Sequence, residues 1–308
     1  MKQRGMALLT VLLLLAVIVA LVTVVTERWF FSFHYSLHLH QRLQGKWHAA
    51  AAENIAAMAL LQDAVDDVRH THLAQQWATA GPLFMLPDGE LEVRIRDARS
   101  CFNINALPDD EDIQRIFIRL LRLLQLEPLQ AERLGAAIAD WLDGGVKNRS
   151  GGAKDDSYQA SDPPFLTASQ PLWHSSELRP VRGITPDILQ QLRPLVCVLP
   201  EKNFTLNLNT LQPEQWLLLA ALLPDSSQSE ILRWLKQRPA AGWETLEQAV
   251  AGLEPLAGQR RYLTLNSNYF TLRVTARMAD VDYRQYSLLQ RKNGKVSVLR
   301  RYPEMEEE

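Results

Sequence analysis

The chain lacks the marks that usually announce an enzyme. It has no G-x-S-x-G elbow, no H-E-x-x-H pair and no phosphate loop, and neither of its two cysteines, Cys101 and Cys197, has a histidine close by in sequence. Those absences remove the usual starting points for hydrolase, zinc and nucleotide chemistry. Neither sign of charge is in excess: 33 basic side chains stand against 35 acidic ones, so no general electrostatic pull toward nucleic acid is expected. Two cysteines leave two states open, one bridge in an oxidising compartment or two buried thiols. In the chain-entropy model the bridge, closing a loop of about 95 residues, adds roughly 4–5 kcal/mol before strain. Glycine and proline are missing from residues 6–44, and charge is missing from residues 6–26.

Those last two absences describe a helix with nothing to interrupt it and nothing to hold it in water. About 20 apolar residues at 1.5 Å each span about 30 Å, the thickness of a bilayer's hydrocarbon core. The run follows a basic stub, MKQRG, and ends at Glu27 and Arg28. A secretory signal has its small-residue cleavage site after the apolar run. Here Gly5 stands before it, and no clean Ala-x-Ala follows Val25. An ordinary signal anchor, a cleaved signal and a leader cut between Gly5 and Met6 all fit this stretch alone. The third resembles the leader of type IV pilins and type II secretion pseudopilins. Lys2 and Arg4 favour an N-terminus inside, and every reading sends the remainder across the membrane.

Beyond Arg28 the pattern becomes amphipathic, with Trp47, Ala50, Ala51, Ile55, Met58, Ala59, Leu61 and Ala64 at helical spacing. One long helix to about residue 77 is predicted, with a kink expected at Gly45. Gly81, Pro82, Pro87 and Asp88-Gly89 mark a turn. Leu91, Val93 and Ile95 then alternate with charged residues, the period of a strand. The same style returns only at Phe270–Ala276 and, after an Ala279-Asp280 break, at Val281–Gln290. Asn293-Gly294, a type I′ hairpin signal, leads into a last strand. The fold class is therefore α+β, with an antiparallel sheet of about four strands interrupted by a stretch of about 170 residues, too long for a structureless loop. Segments 110–126, 128–143, 185–196, 212–223, 226–237 and 243–253 have helical spacing, so the interruption is a folded, all-helical insertion. The expected units are a leader at 1–5, the transmembrane helix and first strand at 6–102, helical subdomains at 103–202 and 203–262, C-terminal strands at 263–303 and an acidic tail at 304–308.

Five strings, CFNINAL at 101–107, ADWLDGG at 139–145, GGAKDDSY at 151–158, SELRPVRGITPD at 176–187 and LNLNTL at 206–211, resemble in order and spacing the K-type minor pseudopilins of the type II secretion system, the GspK family. That resemblance covers nearly the whole chain. It implies a pilin fold with two helical subdomains, cleavage by the prepilin peptidase and N-methylation at Gly5 and Met6, and no enzymatic activity. It also implies an inner-membrane, single-pass protein with a cytoplasmic N-terminus and a periplasmic bulk. Its implied partners are I- and J-type minor pseudopilins, the major pseudopilin fibre and the inner-membrane assembly platform, with no nucleic acid. Most pilins carry Glu at the fifth mature position, where this chain has Thr10; the K-type family shares that lack, which fits a subunit at the fibre tip with no neighbour ahead of it.

The resemblance further implies calcium near Asp140, Asp143, Asp155, Asp156 and Asp162, interleaved with Gly144, Gly145, Gly151 and Gly152. Against it, Lys154 replaces the Glu of a GAED-type string, and Gly145 stands where relatives often have another acid. A calcium loop and a solvated acidic loop both remain open. Asn103, Asn105, Asn207 and Asn209 are expected to hold strand ends and caps where the insertion joins the sheet. LNLNTLQPEQWLLLAALL resembles a helix-hairpin-helix start, but Leu223–Ser227 lacks the Gly-hydrophobic-Gly hairpin that approaches phosphate. His34 and His38 share a helical face with no third ligand in place. The alternatives are a signal-anchored periplasmic binding protein or enzyme, and a DNA-uptake protein.

Overall fold

The computed structural model describes residues 3–303 apart from 80, 82, 88, 146, 147, 279 and 280, with the backbone alone at 3–5 and 7. Met1 and Lys2 of the leader, Pro82 and Asp88 of the expected turn, the Ala279-Asp280 break and the acidic tail lie outside the described residues. The first element is α1 (Gln3–Asp66), 64 residues and therefore about 96 Å long. The strands β1 (Leu83–Leu86) and β2 (Gly89–Asp97) follow it. The insertion then carries β3 (Phe102–Asn103), α2 (Glu111–Leu123), α3 (Pro128–Leu142), α4 (Asp155–Gln159), α5 (Pro186–Leu192), β4 (Val196–Cys197), β5 (Leu206–Asn207), α6 (Trp216–Leu222), α7 (Gln228–Lys236), α8 (Leu246–Ala251) and β6 (Leu263–Thr264). The chain returns through β7 (Tyr269–Met278), β8 (Val281–Lys292) and β9 (Lys295–Pro303).

The main sheet is antiparallel with strand order β1-β2-β7-β8-β9, so the two sides of the insertion, β2 and β7, are hydrogen-bonded neighbours. Asn293 and Gly294 both have positive φ, 53° and 68°, which the expected type I′ turn between β8 and β9 requires. The edge strand β1 was not anticipated, because four apolar residues between prolines show no alternation.

Helix α1 ends at Asp66, about ten residues earlier than expected. The Asp67 carboxylate accepts from the N–H groups of Arg69 and His70, both at 3.0 Å, and bends the chain out of the helix. The Asp63 carboxylate then captures Gln76 N at 3.0 Å and Trp77 N at 3.1 Å, so the apolar Trp77 belongs to a 3₁₀ turn folded back on α1. At Gly45 the chain stays helical. A Cβ there would lie 2.5 Å from Tyr283 Cβ, so this glycine permits close approach of β8.

Small residues bring helix and sheet together. Ala49, Ala52, Ala56 and Leu60 are buried against Val93, Phe270, Leu272, Val274, Ala276 and Leu289. The apolar face picked out by the sequence pattern is largely the other one: Trp47, Ala51, Ile55 and Met58 are exposed. One charge is buried in the contact. Glu53 on α1 accepts from Gln285 Nε2 (3.0 Å), Ser287 Oγ (2.6 Å) and, in a fork, Arg301 Nε and Nη2 (2.8 Å each).

The insertion has a core of its own, which runs through both helical units: Phe102, Phe117, Leu134 and Leu178 join Phe204, Leu222, Trp234 and Leu256 in one cluster. Each unit is closed by a short parallel pairing, β3 with β4 and β5 with β6. The two Asn-x-Asn strings do equivalent work beside them. Asn103 donates to the carbonyls of Glu201 and Asn203 and accepts from Leu199 N; Asn105 donates to Leu172 and Leu199 and accepts from Leu172 N. Asn209 grips Trp243 through both its N–H and its carbonyl. These are the strand-end and cap roles expected from the sequence.

Replacing Glu53 by Ala leaves Gln285, Ser287 and Arg301 without their shared acceptor. The charge left behind, Arg301, is 57% exposed and reaches water, so the cost falls on the buried Gln285 and Ser287 donors, about 1–3 kcal/mol for an unsatisfied buried group. Chemical denaturation of Glu53→Ala should therefore show a loss of about 1–3 kcal/mol. A loss below about 0.5 kcal/mol, the usual range for surface changes, contradicts this role.

Candidate functional site

The chain presents three surfaces to be accounted for: the bare stem of α1, its exposed upper stripe and the acidic loop of the head. From Met6 to Val25 the described side chains of α1 are exposed and, apart from Thr10 and Thr23, apolar, and the run is long enough to cross a membrane. Thr23 and Thr26 return their hydroxyls to the carbonyls of Val19 (2.9 Å) and Val22 (2.8 Å), which removes the need for water at those positions. Thr10 sits in the same helix, and Gly5 and Met6 lie in its first turns. Trp29, Phe30, Phe31, Phe33 and Tyr35 follow directly, all exposed, forming an aromatic belt of the kind found at a membrane–water boundary.

Above the belt, Trp47, Ala51, Ile55, Met58 and Val65 are exposed at spacings of three or four, or seven between the last two, on the side of α1 away from the sheet. The stripe runs along a helix whose other face is already packed against the sheet.

The head joins the stem and sheet at a buried polar node, with further contacts between His70 Nε2 and the Glu244 carbonyl (2.7 Å) and from Arg300 to the Trp173 carbonyl (2.6 Å). The Asp97 carboxylate, at the end of β2, accepts from Arg99 N (2.7 Å), Asn207 Nδ2 (2.7 Å) and Thr210 Oγ1 (2.6 Å). Asn207 Nδ2 also donates to Thr71 O at 3.0 Å. Arg291 on β8 donates to Leu60 O at 3.0 Å and to Thr71 Oγ1 at 2.9 Å, tying the end of α1 to the same node. Asp97 is buried, and burial pushes its carboxyl above the ordinary value despite these donors. Close by, Cys101 and Cys197 form a disulfide with Cα atoms 5.7 Å apart, across the start of the β3–β4 pairing.

The five aspartates of the acidic loop do not converge. Asp140 and Asp143 come together through Arg149, whose Nη1 lies 2.8 Å from Asp140 Oδ1 and 3.2 Å from Asp143 Oδ2, while its Nη2 donates to Pro108 O at 2.8 Å. Asp155 accepts from Thr167 N (2.9 Å) and Oγ1 (2.7 Å). Asp156 and Asp162 are exposed. Lys154 is buried, with Nζ donating to the carbonyl of Asp143. Among the described residues no three His, Cys, Asp or Glu side chains are arranged to hold a metal ion. The Gly145 N–H, then Arg149 and Lys154, hold the Asp143 carboxyl below its usual value, and Thr167 and Lys154 do the same for Asp155. The donors present do not fit calcium, since two cations already stand among them.

Two family models, both described as type II secretion system (T2SS) protein K, match residues 100–201 and 206–273. The chain belongs to the type II secretion system protein K family. It is 39% identical to type II secretion system protein K of Klebsiella pneumoniae, over 97% of this chain and 96% of that one. The corresponding protein of Pectobacterium carotovorum is 36% identical over the same shares. Among solved structures, the GspK–GspI–GspJ complex of enterotoxigenic Escherichia coli matches with a TM-score of 0.79 and 32% identity, covering 85% of this chain and 96% of that chain. The α+β, pilin-like architecture of the K-type minor pseudopilins expected from the sequence strings is the one observed.

Sequence reasoning missed Glu53, Asp97 and Arg149. Glu53 and Arg149 are charges in segments whose pattern reads as solvent-facing, and all three residues are held by partners far along the chain or in an irregular loop. A signal did exist for Asp97, the only acid closing the apolar alternation of β2, though it could not show what Asp97 grips.

The disulfide makes a direct prediction. The Cys101→Ser/Cys197→Ser double variant should lose about 2–5 kcal/mol of unfolding free energy. Reductant should lower the unfolding midpoint of the unaltered chain and leave that of the variant in place. Identical melts with and without reductant contradict a bridge between these residues.

Proposed function

We propose that this chain is a minor pseudopilin that crowns the tip of the type II pseudopilus and helps initiate its assembly for protein export across the outer membrane. Its role is structural, not catalytic. The observation that carries this reading is where the head is attached. The insertion leaves the sheet at Asp97 and is tied by Asn207 to Thr71, just past the C-terminal end of α1, where Arg291 of β8 also bonds Leu60 and Thr71, far from the apolar stem. In a fibre whose stems stack in parallel, a head fixed at that end occupies the space where the next subunit's sheet would sit.

In this reading the inner membrane holds Met6–Val25, with the N-terminus cytoplasmic and the bulk periplasmic. Prepilin peptidase removes MKQRG and the new N-terminus at Met6 is methylated. With Thr10 in place of the usual Glu, no carboxylate in the bilayer waits for the amine of a subunit ahead. The exposed stripe from Trp47 to Val65 receives the stems of I- and J-type minor pseudopilins. The solved relative is itself a complex of GspK, GspI and GspJ. The major pseudopilin fibre and the assembly platform follow as later partners.

Mass spectrometry of the chain purified from its own membrane should find an N-methylated Met6 at the N-terminus. An intact Lys2–Gly5 stub overturns the processing step. Trp47→Glu/Met58→Glu should weaken co-assembly with cognate I- and J-type partners by about 30-fold or more, the effect of losing a buried aromatic anchor. The unfolding midpoint of the isolated variant should stay unchanged. Unaltered assembly by the double variant removes the stripe from the interface.

A further inference from the structure

The loop between α3 and α4 is where a K-type resemblance leads one to expect calcium, and its detailed arrangement argues for something else. Hard divalent cations take carboxylate and backbone carbonyl oxygens at 2.3–2.6 Å in calcium sites, six to eight at a time. Here the same two kinds of oxygen are gathered, but around nitrogen. The Arg149 guanidinium holds Asp140, Asp143 and the Pro108 carbonyl, and thereby ties the end of α3 to the segment before α2. Arg149 N also donates to Asp140 Oδ2 at 3.1 Å, so Asp140, fully buried, faces a donor on each side. Gly152 completes the enclosure: a Cβ at that position would lie 1.9 Å from Asp140 Oδ2, so only glycine lets the backbone close over the carboxylate.

Lys154 supplies the second charge. It is buried, and its ammonium meets the Asp143 carbonyl just past the end of α3, where unpaired carbonyls collect negative charge. It stands in the string Gly152-Ala153-Lys154-Asp155, at the place where a GAED-type string has an acid. Gly145 offers no side-chain oxygen, and its N–H instead donates to Asp143 Oδ1 at 2.9 Å. A calcium ion entering this loop has to displace a guanidinium from two carboxylates and settle beside an ammonium. Two monovalent side chains already provide the charge of one divalent ion.

We infer that in this chain Arg149 and Lys154 have taken over the structural work of a divalent cation, so the α3–α4 loop is held by built-in charges and the head folds independently of calcium. A subunit built this way assembles at any calcium concentration, because the cations that close the loop are covalently part of it. This inference is independent of the position proposed for the chain within the fibre.

The test uses the full chain in detergent micelles. Calorimetric titration with calcium chloride should give no saturable heat, and thermal unfolding in chelator and in about 5 mM calcium, above the range of weak extracellular sites, should have the same midpoint. Saturable calcium binding by the unaltered chain, or a midpoint that falls in chelator, overturns the inference. The Gly145→Asp/Lys154→Glu variant should behave oppositely, with a lower midpoint in chelator that calcium raises. A variant whose midpoint ignores calcium removes these two positions as the seat of the exchange and overturns their assignment. Arg149→Met should lower the midpoint with and without calcium; an unchanged midpoint counts against the guanidinium as the loop's internal cation.

Discussion

Asp97 is the constraint on which the rest of the structure depends. It closes β2 in register with Phe270 of β7, at the point where the sheet is interrupted by a helical head larger than itself. A break of that length between neighbouring strands carries a closure cost, and the head must also be oriented once it is closed. Asp97 meets both demands with three acceptor contacts, to Arg99 N on its own strand's exit and to Asn207 and Thr210 on the far side of the first helical unit. The network extends through Thr71 to Arg291 and Leu60, so strand, head and stem share one buried polar cluster. Burying a carboxylate is expensive, and burial pushes its pKa up; the surrounding donors act in the opposite sense, favouring the ionised form.

The stem and head divide the work. Along α1 the alanine face gives a close, rigid seat on the sheet, anchored by Glu53, while the opposite face and the Met6–Val25 run stay exposed for other helices or lipid. In the head, one apolar core passes through both helical units, and Arg119 Nε adds a 2.7 Å bond from α2 to the Ala221 carbonyl of α6. The disulfide and the two Asn-x-Asn strings fix the loops that join these helices. The head is thus one packed body on the far end of a long stem, a construction suited to a position in an assembly.

Much of this was legible in the sequence because it rests on periodicity. The alternation of Leu91, Val93 and Ile95, its return at Phe270, and the Asn293-Gly294 turn gave an interrupted antiparallel sheet. Helical spacing located the principal helices of the head within a few residues. Two of the shortest elements, α4 at Asp155–Gln159 and the 3₁₀ turn at Ser175–Leu178, were lost because they are too brief to show a period. On α1 the pattern misled: large apolar residues such as Trp47 and Met58 outweigh alanines in any hydrophobic count, yet the alanines face the sheet because closeness, not bulk, is what that contact needs. The acidic loop could be read as charge and glycine but not as an arrangement. Its meaning depends on where Arg149 turns, and a single sequence does not carry that.

The central claim, that Asp97 couples the head to the stem, is tested most directly by amide hydrogen exchange on Asp97→Ala. The account predicts that Asn207, Leu208, Thr210, Thr71 and Ser267 lose protection together, while the α2–α3 core around Phe117 and Ile138 stays protected. Loss of protection confined to residues 97–99, with the distant amides unchanged, would show that the head is held in place by something other than this carboxylate.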